Sequence, residues 1–421
     1  MKRQVVVVGA GPGGSSAAFY LAKKGLDVIL VDKETWPREK VCGDAYQASL
    51  YPIFKEMGIY EQMEAEVLSA VKIIEMVGPD EEVADLHTEH AEWLIPRRIG
   101  DDIIRRDALS AGADFLEGFE GTELLMHKGQ VKGVRGLYNN QEMDIEADLV
   151  IIANGSHSML ARQVGIFNND PASYMFAIRG YWDGVENMVD GTSCWIYDPD
   201  FMPGDRKMCN EYAFQPMWIG PLNDAATQAS VGCCVSEGLL RAHNMSIDQY
   251  FNYWFEHSKI ARKYLSHAHC VDGMKGWRLP CSEQIGKNYG PGCMVLGDAA
   301  SSPDPCYYYG VAPAMYGGKL CADVAEKAFA EGDFSEENLS VFQKNMGDLF
   351  NKAWKQYVAI RKNIVGDREA YRDLIRFAKE KPEYPDIEFG ATFGEYMQKV
   401  LKKNEGKFEY GSQLAEQDKN K

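Results

Sequence analysis

No stretch of this sequence approaches the roughly 20 consecutive apolar residues that a membrane-spanning helix needs. A secretory leader is not expected either, since Lys2 and Arg3 run straight into a short apolar segment that Gly9 interrupts. Cysteine is scattered rather than patterned. The ten thiols include one adjacent pair, Cys233 and Cys234, but no C-x-x-C spacing, and none follows Cys321. That pattern argues against a disulfide framework or a zinc site; it predicts reduced thiols, a cytoplasmic location and no metal. Basic charge is also short. Lys and Arg number 45 against 62 Asp and Glu, a formal charge of −17, so nucleic acid is not an expected partner, because neutralising phosphates needs clustered cations. What remains is 45% hydrophobic and 25% charged, ordinary for a globular chain and long enough for about two to three domains.

What is present concentrates at the start. Residues 5–8 form an apolar, β-branched run suited to a parallel strand buried on both faces. Gly9, Gly11 and Gly14, with Pro12 and Gly13 between them, give G-x-G-x-x-G directly after it. Ala17, Ala18, Leu21 and Ala22 then mark a helix that Gly25 ends, and residues 28–31 read as a second strand closing on Asp32 and Lys33. Gly9 permits the tight turn, Gly11 lets a pyrophosphate approach the backbone, and Gly14 lets helix and strand pack closely. The helix start offers free N–H groups and a positive dipole end to phosphates. Asp32 is placed to accept hydrogen bonds from an adenosine ribose.

Further along, Lys40-Val41-Cys42-Gly43-Asp44 falls in a loop near the expected nucleotide, where an inert thiol is the competing reading of Cys42. Residues 51–63 look helical and 71–77 strand-like. Pro96 opens an amphipathic helix whose Ile99, Ile103, Ile104 and Leu109 turn inward; its charges Arg97, Arg98, Asp101 and Asp102 read most simply as a solvated face. Hairpin strands are expected through 124–126, 131–137 and 143–145. A buried strand over 148–153 leads into Asn154-Gly155-Ser156-His157-Ser158. Aromatic strand-like segments at 178–182, 194–197, 211–214 and 229–235 predict an antiparallel sheet forming a wall for an apolar ligand. Residues 246–265 are helical in pattern. A strand at 293–296 opens the turn Gly297-Asp298-Ala299-Ala300, and Pro305-Cys306-Tyr307-Tyr308-Tyr309-Gly310-Val311 leads into a small-residue helix over 312–330. Leu339, Phe342, Met346, Leu349, Ala353, Tyr357, Ile360 and Ile364 mark one face of a long helix, and 411–421 reads as a disordered tail.

Assembled, these motifs make the chain resemble FAD-dependent oxidoreductases of the geranylgeranyl reductase family, within the hydroxylase-like flavoprotein group. The resemblance implies an α/β fold: a Rossmann-like FAD-binding domain with a parallel sheet, interleaved with an antiparallel β-sheet substrate domain and followed by C-terminal helices. The expected partition is 1–70, 94–168 and 284–332 for FAD, 71–93 and 169–283 for substrate, and 333–410 for the helices. Gly9 to Gly14 with Asp32 would bind the ADP half of non-covalent FAD. Lys40, Cys42 and Gly43 resemble the family's K-x-C-G loop beside the flavin, and Arg97 would face the cofactor. Asn154 and Gly155 resemble a D-G turn, with Asn where Asp is usual, and Gly100 stands where an aromatic is usual. Gly297 and Asp298, with Pro305, Gly310 and Val311, would hold the ribityl chain and the pyrimidine edge. Tyr212, Phe214 and the nearby Trp218 are the expected substrate contacts. Tyr307-Tyr308-Tyr309 replaces a glycine-rich run, so that Tyr308 occupies a glycine position.

The implied reaction is reduction of a carbon–carbon double bond in a hydrophobic, prenyl-like or conjugated molecule by hydride from reduced FAD. Cys42, Cys306, Tyr307, Tyr308 and Tyr309 are the proton-donor candidates. The three tyrosines also suggest a cavity narrower than a long polyprenyl chain needs. Electrons would come from NAD(P)H or ferredoxin, the latter making a redox donor protein a partner; peripheral membrane contact is compatible with such a substrate. An FAD-dependent monooxygenase is the alternative, although the halogenase W-x-W-x-I-P motif is absent. A quinone-linked electron-transfer flavoprotein and a non-catalytic prenyl-binding protein are further readings.

Overall fold

The computed structural model describes residues 1–166, 174–197, 217–364, 368–380 and 382–384. The expected strand at 211–214, Tyr212 and Phe214, the end of the C-terminal region and the tail at 411–421 lie outside the described residues, as do the side chains of Ile360 and Ile364.

Strand Lys2–Val8 sits at the middle of the first sheet, and its four consecutive valines are buried on both faces. It pairs in parallel with Val28–Asp32 on one side and with the end of Gln141–Ile152 on the other. Asp114–Glu117 and Cys293–Val295 extend the parallel set outward. A meander of Phe119–His127, Gln130–Tyr138 and Gln141–Ile152 completes the sheet, its strands longer than the apolar segments alone suggest. Helix Val311–Glu331 lies against Pro12–Lys23, where Ser16 Oγ donates to the Met315 carbonyl at 2.7 Å. Small residues permit that approach: a Cβ on Gly318 would fall 2.5 Å from the Ala17 nitrogen.

The second sheet runs in the order His269–Cys270, Tyr174–Asp183, Gln228–Ser236, Met217–Pro221, Thr192–Ile196, Ser69–Val77, Val83–Leu94 and Glu383–Tyr384. Among the described residues its pairs are antiparallel except two: Thr192–Ile196 beside Ser69–Val77, and Glu383–Tyr384 beside Val83–Leu94. Helices Ile247–His257 and Lys259–Leu265 cover one face, burying Tyr250, Phe251 and Trp254. The continuous helices expected over 51–63 and 246–265 are each broken. Gly58 takes a left-handed φ of 81° and separates Tyr51–Met57 from Tyr60–Glu64. Ser258 leaves the helix to cap the next, accepting from the Ala261 N–H. Leu339 belongs to a separate short helix, Glu336–Leu339, ahead of Val341–Ile364. An additional helix, Arg368–Glu380, buries Ala370, Tyr371, Leu374 and Ile375 and packs against Val83–Leu94. Among the described residues no helix is long and apolar enough to cross a membrane.

Candidate active site

The glycine turn is built by close approach of backbones. Gly9 has φ 102°, and a Cβ there would sit 2.4 Å from the Ala153 carbonyl oxygen; at Gly14 it would sit 1.8 Å from the Gly9 oxygen. Neither position admits a side chain. Asp32, 8% exposed, spends its carboxylate on this turn first: Oδ2 accepts from the Ala10 N–H at 2.7 Å and Oδ1 from the Glu34 N–H at 2.8 Å. Lys33 beside it is exposed and 3.9 Å from Glu34. Gly11, by contrast, opens onto space. The nearest atom to a Cβ there is Arg38 Nη2, 3.5 Å away.

Two buried polar atoms around this turn have no hydrogen-bond partner among the described residues: Arg38 Nη1, and Asn154 Oδ1 in the turn beside Gly9. Buried polar groups are nearly always bonded, so orphans beside a helix N-terminus point to a polar ligand. A dinucleotide's pyrophosphate and adjoining sugar fit them; Gly155 has open space where a Cβ would be, whereas Pro12 and Gly13 are buried and a Cβ on Gly13 would lie 3.2 Å from Ala314 Cβ.

The charges at the start of helix Arg97–Ser110 are not the solvated face that their spacing predicts. Asp101 is fully buried and Arg97 is 7% exposed. Arg97 Nε and Nη2 reach the two Asp101 oxygens at 2.7 and 3.0 Å, Arg38 Nη2 adds a bond at 2.8 Å, and the Tyr46 hydroxyl donates at 3.2 Å. Only Arg98 of the four is exposed. The carboxylate is turned inward because two guanidiniums there neutralise it. The glycine at position 100 follows, since a Cβ would lie 2.3 Å from the Tyr46 oxygen.

The loop from Lys40 to Asp44 is clamped from the second sheet. Arg179 Nε donates to the Cys42 carbonyl at 2.9 Å, while its Nη1 is held by Asp272 at 3.1 Å. Asp44, buried and at φ 67°, accepts from the Tyr181 hydroxyl at 2.7 Å and the Arg97 N–H at 3.2 Å. Burial outweighs these bonds and pushes its carboxyl up to about 6. Lys40 Nζ lies 3.9 Å from the centre of the Trp277 ring, and burial first, then Arg97, pulls it down to about 8 against the opposing field of Asp298. Cys42 is half-buried. Trp218 covers Gly43, its Nε1 lying 3.5 Å from where a Cβ would be.

The second turn, Gly297–Ala300, follows strand Cys293–Val295 and brings Asp298 beside the start of helix Val311–Glu331: a Cβ on Gly310 would be 3.3 Å from Asp298 Oδ1. The tyrosine run before that helix folds around Asp304. The buried Asp304 carboxylate accepts from the N–H groups of Cys306 at 2.9 Å and of Tyr307 and Tyr309 at 2.7 Å. Those N–H groups are thereby taken up by Asp304, and helix Val311–Glu331 starts directly after them at Gly310. Tyr308 takes φ 65°, a conformation that glycine adopts freely and a tyrosine rarely.

The three rings separate. Tyr308 packs on the core of the second sheet, whereas Tyr307 and Tyr309 line a cavity of about 90 Å³, open at its mouth. Its walls come from Gln47 and Ser49 after the clamped loop, from Val71, Ile74 and Leu86 of the second sheet, and from Trp195. Tyr307 stands edge-on to Tyr357 at 5.8 Å and tilted to Trp195 at 5.7 Å. Cys306 is fully buried in the first core and does not line the cavity. Trp218 is likewise not among its lining residues.

Several residues here escaped sequence reasoning. Arg38 lies in a Trp-Pro-Arg-Glu-Lys stretch that reads as an irregular loop. Arg179, Tyr181 and Asp272 sit in strand-like or turn-like surroundings with no motif. Glu92, whose Oε2 accepts from the Tyr309 hydroxyl at 2.7 Å, interrupts an apolar strand end, and that interruption was the one available signal.

Residues 2–237 match the family described as FAD binding domain. A digeranylgeranylglycerophospholipid reductase of Methanothrix thermoacetophila is 26% identical over 378 residues, 87% of this chain and 88% of that protein. The corresponding protein of Methanosarcina acetivorans is 27% identical over 357 residues, 84% and 80% of the two chains. Among solved structures, a geranylgeranyl bacteriochlorophyll reductase-like protein of Thermoplasma acidophilum superposes with a TM-score of 0.80 at 21% identity, covering 95% of this chain and 96% of that one. A flavin-dependent brominase superposes at 0.73 and 20% identity over 100% of both chains. At those identities the structures establish the fold.

Proposed function

The chain belongs to the FAD binding domain family and is an FAD-dependent oxidoreductase; we propose that it reduces carbon–carbon double bonds in a prenyl-type lipid such as the geranylgeranyl chains named in its relatives. The observation that carries this reading is the cavity itself. Its lining includes Gln47 to Ser49, which follow the Lys40–Asp44 loop, and Tyr307 and Tyr309, which precede helix Val311–Glu331, together with aliphatic and aromatic side chains of the second sheet, and it contains a phenol bonded to a carboxyl group. When bound and reduced, FAD supplies a hydride to one alkene carbon.

The remaining tasks fall to the chain's own residues. In this reading residues 1–70, 94–168 and 284–332 hold the cofactor, and 71–93 with 169–283 hold the substrate. Gly9, Gly11, Gly14, Arg38 and Asn154 bind the pyrophosphate side, and Asp298 with the N–H groups at Gly310 and Val311 takes the ribityl and ring edge. The Arg179 and Asp44 contacts keep Cys42 and Gly43 in one position against the ring. Trp195, Tyr307 and Tyr357 orient the alkene and exclude water. A lipid substrate would be met at a membrane surface, by peripheral contact.

The test is to reduce the bound flavin anaerobically and add either a digeranylgeranylglycerophospholipid in detergent micelles or oxygen with an aromatic acceptor. Reoxidation by the lipid with loss of its double bonds is the expected result. Product formation only with oxygen would replace the reductase by a monooxygenase.

A further inference from the structure

Glu92 is the only acidic residue among the described residues lining the cavity. Other carboxylates near the site have stronger or more numerous donors: Asp101 two guanidiniums, Asp304 the backbone N–H groups of the tyrosine run, and Asp44 the Arg97 N–H and the Tyr181 hydroxyl with the Arg179 guanidinium 3.9 Å away. Glu92 has neither. Its bond is to the Tyr309 hydroxyl, 2.7 Å away, and no ion pair to it is found among the described residues. A carboxylate kept inside an apolar, aromatic wall by a single phenol is poorly stabilised for a structural role. Tyr309 also stands immediately before Gly310, the start of helix Val311–Glu331, where the reductase reading puts the edge of the flavin ring.

We propose that Glu92 and Tyr309 form a proton relay into this cavity, with Tyr309 giving its proton to substrate and Glu92 replacing it. The inference rests on the reductase reading. Hydride addition brings two electrons to one alkene carbon, oxidises the reduced flavin, and leaves the adjacent carbon needing a proton. The Tyr309 O–H bond breaks as the new C–H bond forms. The Glu92 carboxyl proton passes to the Tyr309 oxygen, and water reprotonates Glu92. The net change is addition of one hydride and one proton across the double bond.

The protonation states suit this direction. Burial pushes the Glu92 carboxyl up to about 7, only partly opposed by the Tyr309 bond, so the protonated form is well populated at neutral pH. Burial, reinforced by Glu92, raises the Tyr309 phenol far above its ordinary value, so it stays protonated as a donor must. When Glu92 carries its proton it can donate to the phenol oxygen, which frees the phenol hydrogen to face the cavity. The other titratable groups facing the cavity are His90 on the same strand and Tyr197, Tyr307 and Tyr357 from other elements, with Asp304 behind Tyr309. In these terms Tyr309 is the catalytic residue and Glu92 the positioning and resupplying one.

Glu92→Gln keeps an acceptor for the Tyr309 hydroxyl but cannot pass a proton, and Tyr309→Phe keeps the ring without the hydroxyl. Infrared difference spectra of the flavin-loaded protein are expected to show a protonated carboxyl band that titrates away near pH 7. The band should be missing in Glu92→Gln and shifted in Tyr309→Phe. Anaerobic reoxidation of the reduced flavin by the digeranylgeranyl lipid in micelles should slow at least ~10-fold in each variant. The double variant should be no slower than the slower single one, because the two residues act as a unit. A missing carboxyl band, or parent-rate reoxidation in either single variant, overturns the relay. If the parent's reduced flavin ignores the lipid, the reductase reading fails instead, and the infrared titration alone decides the pair.

Discussion

Replacing Asp101 with Asn tests how the cofactor side of the site is held together. The change keeps the shape of the side chain but removes the charge that neutralises Arg97 and Arg38, which bond to it at 2.7–3.0 Å. Asp101 is fully buried, so solvent cannot take over that role. Breaking a buried ion pair by removing one partner costs about 3–5 kcal/mol, and two guanidiniums are stranded here. An internal comparison is available in Arg135–Asp144, whose Nε–Oδ1 and Nη2–Oδ2 distances of 2.7 and 2.9 Å are nearly the same. That pair lies on an exposed hairpin, with its side chains 40% and 43% accessible, so Asp144→Asn should leave the unfolding midpoint close to the parent's. Urea unfolding at neutral pH, followed by tryptophan fluorescence, measures both. Burial pushes the Asp101 carboxyl up, but Arg97 and Arg38 more than offset this and hold it below its ordinary value of 3.8. Its contribution is therefore present above the unfolded carboxyl range and lost as pH falls through the folded value. The gap between parent and variant should be full at neutral pH and close only in acid. Equal midpoints for Asp101→Asn and Asp144→Asn would refute the view that burial, not geometry, sets the strength of this pair.

The Glu92 carboxyl rises from 4.5 to about 7 on folding, so the stability linked to it is fully present below the unfolded value and is lost as pH rises through 7. Glu92→Gln does not titrate and should gain on the parent by about 1–3 kcal/mol between acid and neutral pH; a pH-independent difference in unfolding midpoint would remove the buried-acid assignment. Gly9→Ala forces a Cβ to 2.4 Å from a carbonyl oxygen at φ 102°, and the purified variant should carry little flavin by absorbance; parent flavin content would show that the turn is dispensable. Tyr308→Gly relieves a left-handed backbone worth about 1–2 kcal/mol, which offsets much of the lost ring contact. Tyr307→Gly has no such relief and should cost about 3 kcal/mol or more, so equal losses by thermal or urea unfolding would contradict the strain at Tyr308.

Local chemistry determined much of this protein in advance. Val5 to Val8, the glycines that follow and Asp32 specify a buried parallel strand, a tight turn and a helix start from sequence alone. Each of these depends on backbone sterics and on neighbours a few residues away, and the same holds for the turn at Gly297 and Asp298. Tyr308 at a glycine position shows the limit of that reasoning. The positive φ could be anticipated, but the direction each tyrosine ring takes could not, because Asp304 winds the loop so that Tyr307 and Tyr309 turn one way and Tyr308 the other. The inward turn of Asp101 is a second case. Helical periodicity places it on a polar face, and only the arrival of Arg38 from a distant loop makes burying the charge affordable. Arg179, Asp272 and Glu92 are a third, contributed by strands of the other sheet to a site whose recognisable motifs lie on the first. Strands and turns follow from short-range sterics; the charge pairs, the clamp on Cys42 and the Glu92–Tyr309 contact depend on which surfaces meet when the two sheets close on each other, and tertiary structure alone decides that.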